Sequence, residues 1–245
     1  MDLKLKNKKC LIMGASAGIG KSIAFRLLQE GATTAICSRS QEKIEKTSKE
    51  IGSSYFFTCD LSLPEQGSIA VKTAIEKMNG LDLLVINTGG PKKGIFLEVS
   101  NEQWQTDFQN LWMSVVDSLK AALPTMQKQK FGRVLIITSL AAKEPLPGLT
   151  TSNGLRAGLA GLIKSVSSEY AQYNITFNLV LPGYTNTDRM KELNLSDEKI
   201  KTMVPAGRLG DPEEIGNLCC FLGSELAGYI TGQSIAVDGG VLKSH

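Results

Sequence analysis

The feature that most constrains this chain is its first turn, Leu11-Ile12-Met13-Gly14-Ala15-Ser16-Ala17-Gly18-Ile19-Gly20. An apolar run ends at Gly14. An amphipathic helical pattern begins near Gly18, with Ile19, Ile23, Phe25, Leu27 and Leu28 at its apolar positions. A glycine-rich turn between a buried strand and a helix lets backbone N–H groups approach a phosphate at the helix N-terminus, where the dipole favours negative charge. Side chains at Gly14, Gly18 or Gly20 would block that approach or force strained dihedrals. Because it opens an α/β pattern, the turn is a candidate dinucleotide site that includes Ser16 and Ile19. The same residues fit a rival motif, the G-x-S-x-G elbow of α/β-hydrolases, Gly14 to Gly18. That chemistry needs a histidine base, and the one histidine is His245, at a chain end where fraying makes a poor general base.

The rest of the chain repeats the alternation. Apolar runs stand at Cys10–Met13, Thr34–Cys37, Tyr55–Thr58, Leu83–Ile86, Val134–Thr138, Ile175–Leu181 and Ile235–Val237. Several are apolar on both faces, as in a parallel sheet covered by helices on each side. Helix starts are legible between them: Ser62 with Glu65 and Ser100 with Gln103 fit capping boxes, and Asp211-Pro212-Glu213-Glu214 offers a cap, an N1 proline and first-turn acids. No linker, repeat or low-complexity segment interrupts the pattern. The expectation is one doubly wound Rossmann-type α/β domain over 1–245, with about seven parallel strands. Within it, the segment 187–204 reads as a substrate lid.

Composition narrows the partners. The 27 basic and 24 acidic residues leave a formal charge of +3, which gives no bulk attraction to nucleic acid. Lys4, Lys6, Lys8 and Lys9 read as a solvated edge before the first strand. Five cysteines without C-x-x-C spacing suit small buried hydrophobes better than ligands or disulfides. A single histidine argues against a His-based metal site. No signal peptide or membrane-length apolar run is evident, so the chain reads as cytoplasmic.

Particular strand ends carry candidate chemistry. The second run ends at Ser38-Arg39-Ser40, where an acid would hold a ribose 2′-hydroxyl and repel a 2′-phosphate. Ser38 and the cation Arg39 stand there instead, favouring NADP over NAD, with NAD still possible. The plain alternative is Ser40 as a helix cap and Arg39 as a solvated charge. Asp60 can reach an adenine or simply bond to its own turn. The fourth run leads into Asn87-Thr88-Gly89-Gly90-Pro91, and the fifth ends at Thr138-Ser139, both at the rim where open α/β sheets hold ligands. In the next helix Ser152 and Arg156 share a face. Gly154, Ala157, Gly158, Ala160 and Gly161 give that helix a small-residue surface suited to close packing against the sheet or another subunit.

Together these landmarks resemble the short-chain dehydrogenase/reductase family over essentially the whole chain. The carriers are Gly14-x-x-x-Gly18-Ile19-Gly20, Asp60-Leu61, Asn87-x-Gly89, Gly132-Arg133, Ser139, Pro182-Gly183 with Thr187, and Thr231-Gly232-Gln233 with Val237-Asp238-Gly239-Gly240. The C-terminal part, with Pro205-x-Gly207-Arg208 and Pro212-Glu213-Glu214-Ile215, looks most like 3-oxoacyl-[acyl-carrier-protein] reductases. The resemblance implies a nicotinamide cofactor, a small carbonyl or acyl substrate and usually a homotetramer. It assigns cofactor contacts to Asp60, Leu61, Asn87, Gly89, Pro182, Gly183 and Thr187. The departure lies in the catalytic group of Asn, Ser, Tyr and Lys. Counting at the family's spacing from Ser139 lands on Ser152 and Arg156, and the Asn position lands without gaps on Leu111, one residue after Asn110. Serine is a far weaker acid than a phenol, and a guanidinium is always protonated and cannot shuttle a proton. Arg156 can still bond ribose hydroxyls. Tyr184 is the nearest other phenol by motif position, with a covering loop aromatic as its plainer reading. The expectation is an NADP-dependent oxidoreductase with an altered proton donor, against a non-catalytic cofactor-binding sensor or regulator.

Overall fold

Seven strands alternate with helices, because runs that are apolar on both faces can be buried only between two helical layers. The computed structural model describes residues 1–192 and 194–244. The strands are β1 (Lys9–Met13), β2 (Thr33–Ser38), β3 (Tyr55–Thr58), β4 (Leu83–Asn87), β5 (Gly132–Ile137), β6 (Ile175–Pro182) and β7 (Gln233–Val237). All pair in parallel, in the order β3-β2-β1-β4-β5-β6-β7. The helices are α1 (Gly18–Gln29), α2 (Gln41–Ile51), α3 (Gln66–Met78), α4 (Asn101–Phe108), α5 (Ser114–Gln129), α6 (Thr150–Tyr170), α7 (Asp188–Lys191), α8 (Asp197–Met203) and α9 (Pro212–Gly223). This is the expected single doubly wound domain. His245, and Leu193 within the 187–204 segment, lie outside the described residues.

Two apolar layers flank the sheet. Leu11, Leu84, Ile136 and Phe177 face α3, α5 and α6 on one side, while Ile12, Val85, Leu135 and Val180 face α1 and α9 on the other. The strand order reverses between β1 and β4, which opens a crevice at the carboxyl ends of the strands. All five cysteines are free and buried. Burial pushes the Cys10, Cys219 and Cys220 thiols above their ordinary value, so they pack as neutral hydrophobes.

Local signals fared unevenly. Ser40 caps α2 by accepting the Lys43 N–H at 3.3 Å. Ser100 caps α4 by accepting the Gln103 N–H at 3.2 Å, although the Gln103 side chain turns to Asp107 at 2.8 Å instead of completing a box. At α9, Glu214 accepts the Asp211 N–H at 2.8 Å, and Arg208 at 2.7 Å holds the same carboxyl down at about 2. The expected box at Ser62 and Glu65 is wrong. The Ser62 hydroxyl donates to Asp60 at 2.7 Å, and α3 starts only at Gln66. Pro64 disfavours a helical Leu63, which works against a helix start at Ser62.

The small-residue face of α6 has a partial explanation within the chain. A Cβ on Gly158 would stand 2.7 Å from the Trp112 ring, so that glycine admits an indole. Gly154 and Gly161 meet nothing within 4 Å, and both are exposed with Ala157. The packing against the sheet expected for those positions is therefore absent.

Candidate functional site

The crevice is built from the glycine turn upward. Gly14 (φ +61°) and Gly18 (φ +53°) occupy the left-handed region that other residues rarely adopt. A Cβ on Gly14 would stand 2.2 Å from the Asn87 carbonyl, and one on Gly20 would stand 2.3 Å from the Gly14 carbonyl. The Asn87 amide donates back to the Gly14 carbonyl at 3.0 Å, locking β1 and β4 together where their order reverses. Ala17 caps α1 without a side-chain bond, which leaves first-turn N–H groups without a side-chain acceptor.

Two cavities meet at Asn87, Thr88 and Gly90. The first, about 370 Å³, gathers Gly14, Ser16, Ser38, Arg39, Asp60, Leu61, Asn87 and Gly89. Asp60 lines it while accepting the Ser62 N–H and hydroxyl at 3.1 and 2.7 Å, so the turn takes one of its oxygens. Arg39 is exposed beside the partly buried Ser40 cap. Cys37 and Cys59 also line this cavity, and their shared hydrogen bond together with burial raises the Cys37 thiol.

The second cavity, about 580 Å³, gathers Ile19, Ser139, Ser152, Arg156, Pro182, Gly183 and Thr187. Ser139 accepts the Ala141 N–H at 3.3 Å, which leaves its own proton for a ligand. Arg156, 4% exposed, donates from Nε to Ser152 Oγ at 3.2 Å and from Nη1 to the Ile137 carbonyl at 3.4 Å. Tyr184 and Met190 also line it. Gly18 lies in an adjoining groove of about 680 Å³ between α1 and Thr187. Gly20 lines none of these spaces and is buried. Its part is packing beneath the turn rather than ligand contact.

One expectation needs correction. Leu111 is 1% exposed in the core, not in the crevice. A π-helical turn over Gln109–Met113 changes the register, so Asn110 borders the first cavity and donates to the Gly89 carbonyl at 3.4 Å. Arg133 is a structural pin. It is 1% exposed, donates to the Ser224, Gly132 and Asn174 carbonyls at 3.0, 2.9 and 3.0 Å, and stacks on Phe131 at 4.3 Å. Sequence reading also passed over Lys43, which borders the first cavity from α2. The available signal was its place in the first turn after the Ser40 cap, four residues past Arg39. Ser16 fits the hydrolase elbow poorly, since among the described residues no histidine lines either of the spaces it borders.

A family model described as enoyl-(acyl carrier protein) reductase matches residues 14–242. The chain belongs to the short-chain dehydrogenase/reductase family. Among its relatives in this short-chain family, the 3-oxoacyl-[acyl-carrier-protein] reductase FabG of Aquifex aeolicus is 34% identical, over 98% of this chain and 100% of that protein. The crystal structure of YwfH, an NADPH-dependent reductase involved in bacilysin biosynthesis, superposes with a TM-score of 0.93 at 31% identity, covering 98% of this chain and 100% of that one. An NADPH-bound short-chain oxidoreductase of Pseudomonas aeruginosa PAO1, described as containing an atypical catalytic center, superposes with a TM-score of 0.91 at 25% identity, covering 98% of this chain and 100% of that one. Among the described residues of this family member, no cluster of three metal-ligating side chains occurs, and no helix is long and apolar enough to cross a membrane.

Proposed function

We propose that this chain is an NADP-dependent oxidoreductase that reduces a carbonyl or acyl substrate, similar to the 3-oxoacyl reductases, with an altered proton donor. The observation that carries this reading is the continuity of the crevice: Ser38 and Arg39 stand at one end, Ser139, Ser152 and Arg156 at the other, and the interlocked Gly14–Asn87 pair lies between. The glycine cradle fits a dinucleotide, since Gly14 and Gly18, both in the left-handed region, present backbone without side chains to the crevice and its adjoining groove. In this reading Gly14, Ser16, Gly18 and Ile19 hold the pyrophosphate, Ser38 and Arg39 the 2′-phosphate, and Asp60 and Leu61 the adenosine. Asn87, Gly89, Pro182, Gly183 and Thr187 frame the nicotinamide half, and Arg156 holds its ribose. When bound, the dinucleotide supplies the hydride.

The side chains then have limited means of handling the proton. Ser139 donates a hydrogen bond to the substrate oxygen. Arg156 sets the orientation of Ser152 and stabilises developing negative charge, but it gives up no proton. The proton therefore comes from water held by the two serines or from Tyr184. Orientation alone can supply roughly 7–11 kcal/mol, enough for a slow reductase without a dedicated acid. The absence of the Tyr–Lys pair favours a second reading, a non-catalytic NADP-binding sensor. The deciding experiment incubates the protein with NADPH and a panel of 3-oxoacyl, enoyl and small activated carbonyl substrates. Consumption of NADPH with any of them supports the enzyme, and tight binding without consumption supports the sensor.

The 2′-phosphate assignment has its own expected result. Charge-assisted hydrogen bonds contribute about 1.5–3 kcal/mol, so Arg39→Ala should weaken NADPH at least tenfold and leave NADH nearly unchanged, as read by titration. Equal affinities of the unmutated protein for the two dinucleotides would sink the preference.

Assembly as a homotetramer is part of the same proposal. The exposed Gly154, Ala157 and Gly161 otherwise leave α6 with a helix cost of about 1 kcal/mol per glycine and no packing to offset it. Light scattering at micromolar concentration should give a tetramer, and Ala157→Trp, harmless on a free surface, should give smaller species. A monomeric unmutated protein would refute the assembly. Five buried free thiols fit a reducing cytoplasm. The 187–204 segment acts as the lid, its α7 side contributing Met190 and Glu192 to the second cavity.

A further inference from the structure

We infer that Lys43 is a second ligand of the cofactor's 2′-phosphate, reaching it from the first turn of α2 alongside Arg39. This rests on the NADP reading above and names a specificity-determining residue within it. Lys43 borders two spaces at once: the first cavity, with Ser38, Arg39 and Ser40, and the adjoining groove, with Ser16, Ala17 and Lys46. It therefore stands on the partition between the start of α2 and the glycine turn. Its backbone is fixed there, because its N–H donates to the capping Ser40 Oγ.

The ion pairs of this surface single out the same residue. Lys21 pairs with Glu50 at 2.6 Å and Lys49 with Glu45 at 2.7 Å. Lys46 also acts on Glu50. Among the described residues, no ion pair involves Arg39 or Lys43. The carboxylate in the first cavity is Asp60, which already accepts the Ser62 N–H and hydroxyl. Two cations without carboxylate ion pairs thus border a cavity whose lining also includes Ser16, Ser38 and Ser40. A phosphate monoester carries close to two negative charges near neutral pH. One solvent-exposed guanidinium compensates only half of that charge, and Lys43, lining the same cavity, supplies the rest. The flexible ammonium suits that role, since the planar Arg fork takes the directional bonds.

The test measures dinucleotide affinity by fluorescence titration, with adenosine 2′-phosphate and adenosine 5′-phosphate as competing fragments. Lys43 is exposed, so Lys43→Met, which keeps the apolar stem, should leave the fold intact. The expected result is about a tenfold loss of NADPH and adenosine 2′-phosphate affinity, with NADH and adenosine 5′-phosphate unchanged. Lys43→Arg should retain most of the preference, Lys46→Met should retain all of it, and Arg39→Ala with Lys43→Met should bind NADPH no better than NADH. Unchanged NADPH affinity in Lys43→Met overturns the inference while leaving the Arg39 assignment standing. So does an equal loss for NADH, which would mean a merely structural role. Failure of the unmutated protein to bind either dinucleotide overturns this inference and the functional reading together.

Discussion

The double variant Ser152→Tyr with Arg156→Lys should reduce a small activated carbonyl with NADPH on the order of 10²-fold faster than the unmutated protein. That is the low end of what a positioned general acid provides. The geometry favours the exchange. Both positions are on α6, one turn apart, and both line the cavity that holds Ser139. The Arg156 Nε–Ser152 Oγ bond already places a cation against the group to be replaced. Ser152 borders a cavity of about 580 Å³, the space into which a phenol at that position would extend. Its proton, with an ordinary pKa near 10, is drawn toward neutrality by the neighbouring ammonium, whereas a serine hydroxyl stays out of range. Leu111 must be left alone. It is 1% exposed, and an amide there would be buried without partners, while Asn110 already borders the crevice. The measurement is steady-state NADPH oxidation, with NADPH titration and near-UV dichroism to establish that the variant binds and folds. A folded, NADPH-binding double variant with no gain would show a site remodelled beyond these two positions. A fast unmutated enzyme would point to another acid, and Tyr184→Phe becomes the first substitution to make.

How much of this was legible before folding depends on the range of the interaction involved. Strands such as Leu83–Asn87 announce themselves because burial on both faces is written into consecutive residues. The turn at Gly14 is legible for the same local reason, its conformation demanding glycine. Local rules mislead where two of them compete: Ser62 and Glu65 satisfy a capping pattern, but Pro64 and Asp60 act on the same residues and prevail. Counting along the chain assumes a constant helical register, and the π turn at Gln109–Met113 breaks it, exchanging Leu111 for Asn110. Lys43 was passed over for a third reason. Its relation to Ser16 and Ser38 comes from α2 folding back beside the glycine turn, where Thr47 Oγ1 donates to the Ser16 carbonyl at 2.8 Å. No periodicity encodes such a contact.

Gly14→Ala should destabilise the protein by roughly 2–5 kcal/mol and remove dinucleotide binding, although it adds a single methyl group. Two costs combine. An L-residue in the left-handed region pays roughly 1–2 kcal/mol, and Gly14 sits at φ +61°. The new methyl would also stand 2.2 Å from the Asn87 carbonyl, far inside contact distance, and overpacking of this kind costs typically 1–3 kcal/mol. Relaxation is difficult because both partners are held. Asn87 ends β4 in register with Ile137, its amide is bonded to the Gly14 carbonyl, and that carbonyl in turn sits where a Cβ of Gly20 would fall. Displacing Gly14 therefore moves β1, β4 and the start of α1 together, and with them the N–H groups offered to the pyrophosphate. Gly89→Ala is the matched control. It lies in the same crevice with nothing within 4 Å of its added Cβ, so its urea midpoint should equal that of the unmutated protein. Urea unfolding and NADPH titration of the three proteins decide the matter. A Gly14→Ala protein with an unchanged midpoint and unchanged affinity would mean that the turn yields where the geometry says it is locked.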